Sequence, residues 1–398
     1  MPDFPLFPLV ELQAAASAGN QWVALTLRVD AGAEEQGAAW HALFDPPATP
    51  ATPATPDLLA ALAPLDCVLL IPTPAVLTPA LLALMPPNRV LFAIDAAVLA
   101  DDAARRAMAA LQDAGYRILL DGAVPDGVTV PPTLRAVCRD CSDAAPAPAA
   151  LLALFGPHLA RGVHSAARFD ACAKAGFSWF SGDYPIHPAP SEQPDDGSSR
   201  KRMLNLLGLL LTDADTCDIE AMLKQDPTLS YHLLKLANSA AFGAAAPITS
   251  FAQAIGRLGR RQLQRWLQLL LYARQREDGL ANPLLPMAAL RAAQMESLCA
   301  QLGGDRDAQD LAFMIGVFSL LDVLLAVSMD DIVAALKLPP DDAAALTCRG
   351  GPLGRMLALV ETAAPTPAAI GAAGIASAQW WHSQLHAYHW AIQVSRNV

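Results

Sequence analysis

The chain has 398 residues, of which 54% are hydrophobic, and this is long enough for two domains with separate cores. Its formal net charge is -11 and its pI is about 5.1, which argues against a sequence-independent interface with phosphate backbones. The first residues, MPDFPLFPLVELQ, contain acidic side chains where a secretory signal has basic ones, and no uninterrupted apolar segment follows. We therefore expect a cytoplasmic protein.

Short apolar runs in the first half of the chain predict buried strands. They lie at residues 22–29, 67–71, 90–94 and 116–120. Between the last two, residues 101–114 carry Met108 and Leu111 at helical spacing and predict a helix. The order strand, helix, strand predicts a parallel sheet with right-handed crossovers.

Two segments have the composition of solvated connections. Residues 46–56 form a low-complexity run of proline, alanine and threonine, which predicts a polyproline-like excursion. Residues 188–199 are rich in proline, serine and acidic side chains, which is typical of a linker. We therefore predict an N-terminal domain over residues 1–190, a linker over 191–200 and a C-terminal domain over 201–398.

The stretch from residue 226 to residue 272 predicts three short helices separated by turn residues. The third helix has a wide apolar face, formed by Leu263, Trp266, Leu267, Leu270 and Leu271. Arg257, Arg260, Arg261 and Arg265 form a cationic edge. Two helices joined at Gly259 have the outline of a DNA-binding helix-turn-helix. Because the chain is acidic and the third helix is apolar, we expect these arginines to pair with a partner or within the chain, and we expect no nucleic-acid partner.

The most hydrophobic stretch, residues 311–329, reaches the length of a membrane span but contains Asp322. A central aspartate costs about 2.5–3.5 kcal/mol on insertion scales, and acidic rather than basic residues flank the stretch. We expect a buried core helix and no membrane insertion.

Two further patterns have a metal-binding alternative. Cys138 and Cys141 form a C-x-x-C pair, but no second pair completes a zinc site, so two incidental thiols in a reducing compartment are favoured. His382, His386 and His389 share one helix face, and Ser383 replaces the glutamate of an H-E-x-x-H protease motif. Ordinary amphipathic packing is favoured there, and no metal or cofactor is expected.

The run DPTLSYHLLKLANSAAFG, followed by ITS and then by LGRRQLQRW, resembles the HDOD domain, a helical relative of the HD and HD-GYP phosphohydrolases. The resemblance implies an all-helical domain without hydrolytic activity. HD enzymes hold a metal with a His-Asp pair on a core helix. Ser319 and Leu320 stand where that pair is expected, and Asp322 is out of register. In an HD enzyme the preceding helix supplies a histidine, and here that helix has Glu296 instead.

The N-terminal region resembles the EAL domain, a (β/α) barrel that hydrolyses cyclic di-GMP. The resemblance lies in VLFAID, which ends at Asp95, in AALQDAGYRILLDG, and in HLARGVHSAARFDACAKAGFSWFSGDYP, which contains the last barrel strand. The two resemblances together indicate the YuxH-like EAL–HDOD signalling proteins. The implied fold is a multidomain α/β plus α protein, with a degenerate EAL-type barrel followed by an all-α HDOD domain.

An EAL phosphodiesterase needs several carboxylates at the barrel mouth to hold two divalent cations. Asp121 keeps one of them. The residues at the other ligand positions are Ala24 or Leu25, Phe92, Gly122, Arg161 and His164. No counterpart of the catalytic lysine is found between residues 128 and 140. One carboxylate cannot hold two metals, so the sequence predicts a pseudoenzyme.

The sequence thus predicts a non-catalytic signalling protein that binds an unidentified partner protein, or cyclic di-GMP or another nucleotide. The predicted ligand-binding residues at the barrel mouth are Asp95, Asp121, Arg161 and His164. The predicted partner-binding residues of the HDOD domain are Arg257, Arg261, Arg265 and Asp322. A residual cyclic di-GMP phosphodiesterase and a metal- or nucleic-acid-binding adaptor remain as alternatives, and the sequence leaves the oligomeric state open.

Overall fold

The computed structural model describes residues 8–45, 57–148, 150–152, 154–188, 198–211, 259–273 and 280–397, together with positions 233, 235 and 253. The chain divides into two compact units. The first unit contains residues 1–189 and 362–385, and the second contains residues 190–361 and 386–398. The division after residue 189 lies beside the predicted linker at 191–200. Residues 362–385 group with the first unit, although the sequence placed them in the C-terminal domain.

Eight strands in the first unit form a closed barrel. They are β1 (Val10–Ser17), β2 (Trp22–Val29), β3 (Asp66–Ile71), β4 (Val90–Asp95), β5 (Arg117–Asp121), β6 (Ala136–Asp140), β7 (Leu159–Arg161) and β8 (Trp179–Ser181). Strands β2 to β8 are parallel in sequence order, whereas β1 closes the barrel antiparallel to both β2 and β8. The four predicted strands and their parallel arrangement are confirmed as β2 to β5.

The barrel interior is a packed apolar core of mostly small and branched side chains. Its buried members are Ala15, Ala24, Val68, Leu91, Ala93, Leu119, Cys138 and Leu159. Successive strand residues face opposite sides of a sheet, so Phe92, between Leu91 and Ala93, faces outward. Its ring lies 5.1 Å from that of Tyr116. Phe92, which the sequence places at a ligand position, therefore does not line the barrel interior.

Five described helices lie in the connections between successive strands of the barrel. They are α1 (Ala33–Phe44), α2 (Leu58–Ala61), α3 (Pro79–Ala83), α4 (Asp102–Asp113) and α5 (Ala166–Ala175). Helix α4 confirms the helix predicted between β4 and β5. The Asp101 carboxylate caps it by accepting hydrogen bonds from the N–H groups of Ala103 and Ala104, and Met108 and Leu111 are buried on its inner face.

The remaining described elements are helical. They are α6 (Ser198–Leu211), α7 (Arg260–Leu270), α8 (Leu284–Gln301), α9 (Arg306–Phe318), α10 (Leu321–Leu325), α11 (Met329–Leu336), α12 (Pro340–Thr347), α13 (Gly351–Glu361), α14 (Pro367–Ala372) and α15 (Ser377–Asn397). Helix α7 confirms the third helix of the predicted trio, and its apolar face is buried. The first two predicted helices of that trio lie outside the described residues, apart from three single positions.

The hydrophobic stretch at residues 311–329 is divided among helices. Helix α9 ends at Phe318, α10 follows it, and α11 begins at Met329. The expectation of one buried core helix is therefore wrong, although most of the stretch is buried. Among the described helices, none combines the length and the hydrophobicity needed to cross a bilayer.

Candidate binding sites

One end of the barrel gathers the carboxyl-terminal residues of its parallel strands. Strands β4, β5, β6 and β7 end at Asp95, Asp121, Asp140 and Arg161. In barrels of parallel strands this end carries the functional residues. The four residues predicted at the mouth therefore lie at one end of the barrel, with His164 in the loop after β7.

Two of the predicted residues contact each other directly. The Arg161 guanidinium donates hydrogen bonds of 2.8 and 3.0 Å to the two carboxylate oxygens of Asp121. Its Nε–H also approaches the Cys138 sulfur at 3.1 Å. Cys138 lies on β6, between the strands that carry Asp121 and Arg161, so a small side chain at this point leaves room for the ion pair. Burial alone would lower the pKa of Arg161, but Cys138 and Asp121 together raise it.

The other two predicted residues serve local structure. The Asp95 side chain accepts a hydrogen bond of 2.9 Å from the N–H of Ala97 and so caps the short turn after β4. His164 is exposed, and its Nδ1 lies 2.6 Å from Oδ1 of Asp183. Asp183 also lies 3.4 Å from Nε2 of His187. This His-Asp-His cluster was not predicted from the sequence, although Asp183 and His187 follow the last strand closely.

Asp140, at the end of β6, is a further carboxylate that was not predicted from the sequence. Its Oδ1 accepts hydrogen bonds from the backbone N–H and the hydroxyl of Ser142, at 2.9 and 2.7 Å. Hydrogen bonds from Ser142 lower the pKa of Asp140, and Arg161 and His164 lower it further. Asp140 is therefore an ionised acceptor already occupied by its own loop.

The mouth does not assemble a metal site from these side chains. Across the described residues, no three histidine, cysteine, aspartate or glutamate side chains converge to hold a metal ion. The two thiols of the C-x-x-C pair lie in different places. Cys138 belongs to the barrel interior, whereas Cys141 belongs to a second buried cluster that contains Val163. Burial raises the pKa of Cys138 to about 12, so its thiol is protonated at neutral pH.

In the second unit, two arginines of the predicted cationic edge are paired within the chain. Arg261 and Arg265 both donate to Asp310, at 2.6 and 2.7 Å. Arg265 also pairs with Glu296, and its guanidinium lies 4.6 Å from the centroid of the Phe313 ring. The predicted edge is therefore a helix-to-helix ion-pair cluster at these two positions. Arg257 lies outside the described residues.

A second charged cluster lies where the HD resemblance placed metal ligands. Arg291 is buried and donates hydrogen bonds of 2.9 Å each to the Ser319 hydroxyl and to the Glu361 carboxylate. Arg349 pairs with the same Glu361 at 2.7 Å. Ser319 therefore faces a guanidinium rather than an open ligand position.

Asp322 belongs beside this second cluster. Burial, the largest cause, raises the pKa of the Tyr272 phenol, and the charge of Asp322 raises it further. Burial lowers the pKa of Arg291, and the charge of Asp322 opposes that shift. The Asp322 Oδ1 atom is buried and has no hydrogen-bond donor among the described residues. The structure thus groups Asp322 with Arg291, and Arg261 with Arg265.

Two curated relatives share about half of this chain. A cyclic di-GMP phosphodiesterase, CdgJ of Vibrio cholerae, is 30% identical over 207 residues, which is 51% of this chain and 47% of CdgJ. YuxH of Bacillus subtilis is 26% identical over 206 residues, which is 51% of this chain and 50% of YuxH. The chain spans about half the length of both relatives.

Among solved structures, a putative phosphohydrolase from Shewanella amazonensis is 18% identical, with a TM-score of 0.34. The match covers 50% of this chain and 93% of that one. The family model of the HDOD domain matches residues 205–335, so this part of the chain contains an HDOD domain.

Proposed function

We propose that this protein is a non-catalytic signal-transduction protein, in which a degenerate EAL-type barrel and the HDOD domain present surfaces to a partner protein. The ion pair between Asp121 and Arg161 carries the proposal. Hydrolysis with two metals needs several carboxylates whose oxygens are free for the cations. Here both oxygens of Asp121 accept hydrogen bonds from a guanidinium, and the positive charge of Arg161 repels a cation.

The helical unit supports the same proposal. An HD-type enzyme needs imidazole and carboxylate groups around a metal that activates water. The buried guanidinium of Arg291 occupies that region and is held by Ser319 and Glu361. A fixed positive charge of the protein thus stands in the region where the resemblance would place the metal.

Signalling is the context that the relatives suggest. CdgJ is named for the turnover of cyclic di-GMP, and this makes cyclic di-GMP the first nucleotide to test as a ligand. We propose that the protein responds to its ligand by a shift between conformations, which requires a ligand that binds one conformation more tightly than the other.

The test is a hydrolysis assay on the full chain with cyclic di-GMP and Mg²⁺ or Mn²⁺, with products separated by chromatography. An active phosphodiesterase serves as the positive control, and Asp121→Asn is the matched variant. We expect no product above the buffer level from either protein. Metal-dependent product formation that disappears in Asp121→Asn would overturn the proposal.

Binding without turnover is measured separately by calorimetry. A saturable heat with cyclic di-GMP that weakens in Arg161→Met would identify the barrel mouth as a nucleotide site of a non-catalytic protein. The adaptor alternative predicts a stoichiometric metal in elemental analysis of the purified protein, or a DNA complex at low salt. Either of these results would replace the present proposal.

A further inference from the structure

A cavity of about 550 Å³ lies at the end of the barrel opposite the mouth. It opens beside the first residues of β5 and β6, between the C-terminal end of α4 and the segment that precedes β7. Its lining includes Gln112, Tyr116, Arg117, Thr133, Arg135 and Phe155. The volume falls within the range of small-molecule sites, about 300–1,000 Å³.

Phe155 forms an exposed aromatic wall of this cavity. Phe155 is 76% exposed, and among the described residues it is the only aromatic one in the set of exposed large hydrophobic residues. An aromatic ring in water favours contact with another flat apolar surface, and offset stacking adds to the burial. The cavity therefore offers a largely exposed ring as a stacking surface.

Arg135 supplies a positive charge next to that ring. Its guanidinium lies 5.9 Å from the centroid of Phe155, and its Nε–H donates a hydrogen bond of 2.7 Å to the carbonyl of Pro132. Within the described part of the chain it makes no ion pair, whereas the neighbouring Arg117 pairs with Asp66 at 2.9 Å. The terminal nitrogens of Arg135 are therefore donors for an anionic ligand.

Hydrogen bonds hold the chain segments on both sides of the cavity. On one side, the Gln112 side-chain amide donates a hydrogen bond of 3.1 Å to the carbonyl of Thr133 and accepts one of 2.9 Å from the Thr133 hydroxyl. On the other side, the buried His158 accepts a hydrogen bond from the N–H of Val137 and lies 3.4 Å from the carbonyl of Leu154. This preorganisation lowers the entropic cost of binding.

We propose that this cavity binds a small planar aromatic anion, with the ring against Phe155 and the acidic group on Arg135. Two sources share this chemistry, a purine nucleotide with its phosphate and an aromatic carboxylate. The site is separate from the barrel mouth, so its occupancy does not depend on the function proposed there.

Calorimetry on the full chain tests the proposal with defined probes. Adenosine 5′-monophosphate and indole-3-acetate represent the two sources, and adenosine and ribose 5-phosphate each lack one of the two recognised groups. We expect one of the aromatic anions to bind at least about tenfold more tightly than either incomplete probe. If neither aromatic anion binds saturably below about 1 mM, or if ribose 5-phosphate binds equally well, the proposal is overturned.

Variants assign that binding to the cavity. Phe155 and Arg135 are both exposed, so Phe155→Ala and Arg135→Met are expected to fold, and each is expected to weaken binding by about tenfold or more. Arg106→Met, on the exposed surface of α4, and Leu152→Ala, in the same exposed segment as Phe155, are the controls and are expected to bind normally. Unchanged affinity in both Phe155→Ala and Arg135→Met overturns the assignment.

Discussion

Arg161 reaches across strand β6 to hold both carboxylate oxygens of Asp121, at 2.8 and 3.0 Å. The two side chains are only 22% and 20% exposed, so the pair lies largely out of water. A partly buried carboxylate that loses its partner keeps the cost of its desolvation. The stability of the barrel mouth therefore depends on this pair.

We predict that Arg161→Met lowers the free energy of unfolding by about 1–3 kcal/mol, because it leaves Asp121 partly buried without a donor. Chemical denaturation followed by circular dichroism measures the change. Arg28→Met is the matched control, since Arg28 pairs with Glu11 at the surface with 58% of its side chain exposed. That variant is expected to change stability by less than about 1 kcal/mol. Equal losses in the two variants would contradict the prediction.

A backbone contact next to the mouth gives a second prediction. Gly182 follows β8 with φ +152, and a Cβ added to it would clash with the carbonyl oxygen of Val163. Backbone atoms cannot move aside as a flexible side chain can. We predict that Gly182→Ala destabilises the protein by at least about 2 kcal/mol, as measured by thermal denaturation.

Gly371→Ala is the control for this glycine. Gly371 lies in helix α14 with nothing near its added Cβ, so alanine is expected to be neutral or to stabilise by up to about 1 kcal/mol. A Gly182→Ala variant as stable as Gly371→Ala would show that the loop after β8 relaxes, and the prediction would be wrong.

The arginine cluster in the helical unit gives a third prediction. Arg265 is 16% exposed and holds Glu296 and Asp310 together, whereas Arg261 is 40% exposed and pairs only with Asp310 among the acidic residues described. Removing Arg265 leaves two carboxylates near each other, so we predict a loss of about 2–4 kcal/mol for Arg265→Met. Arg261→Met is expected to lose less than about 1 kcal/mol. Urea denaturation of both variants measures the two losses of stability. A larger loss in Arg261→Met than in Arg265→Met would refute the prediction.

The sequence predicted the barrel where strands are buried on both faces. Strands β2 to β5 are mostly apolar because helices cover their outer side and other side chains fill the interior. Strands β7 and β8 have only 3 residues each, which is too short for a periodic signal. Strand β1 contains Glu11 and Gln13 and small alanines, so its composition did not mark it as part of a sheet.

The candidate sites were predicted in part, for a related reason. The resemblance named Asp121 and Arg161 singly, but their contact depends on strand order and on the small Cys138 between them, which sequence spacing does not encode. The loss of ligands around Ser319 was predicted, whereas its replacement by Arg291 was not. The arginine lies on another helix, and only tertiary packing brings its side chain to Ser319.

The last prediction concerns pH and the buried His158. Burial lowers the pKa of this imidazole below its ordinary value of 6.5, so the unfolded chain takes up a proton at a higher pH than the folded chain does. The contribution of the neutral imidazole to the free energy of unfolding is therefore fully present above a pH of about 6.5. It is lost as the pH falls below that value, by up to about 1.4 kcal/mol per pH unit. His158→Gln keeps an acceptor for the N–H of Val137 but does not titrate. Thermal denaturation between pH 7.5 and pH 5 should show a steeper loss of stability in the parent protein than in His158→Gln. Parallel curves for the two proteins would refute the role given to His158.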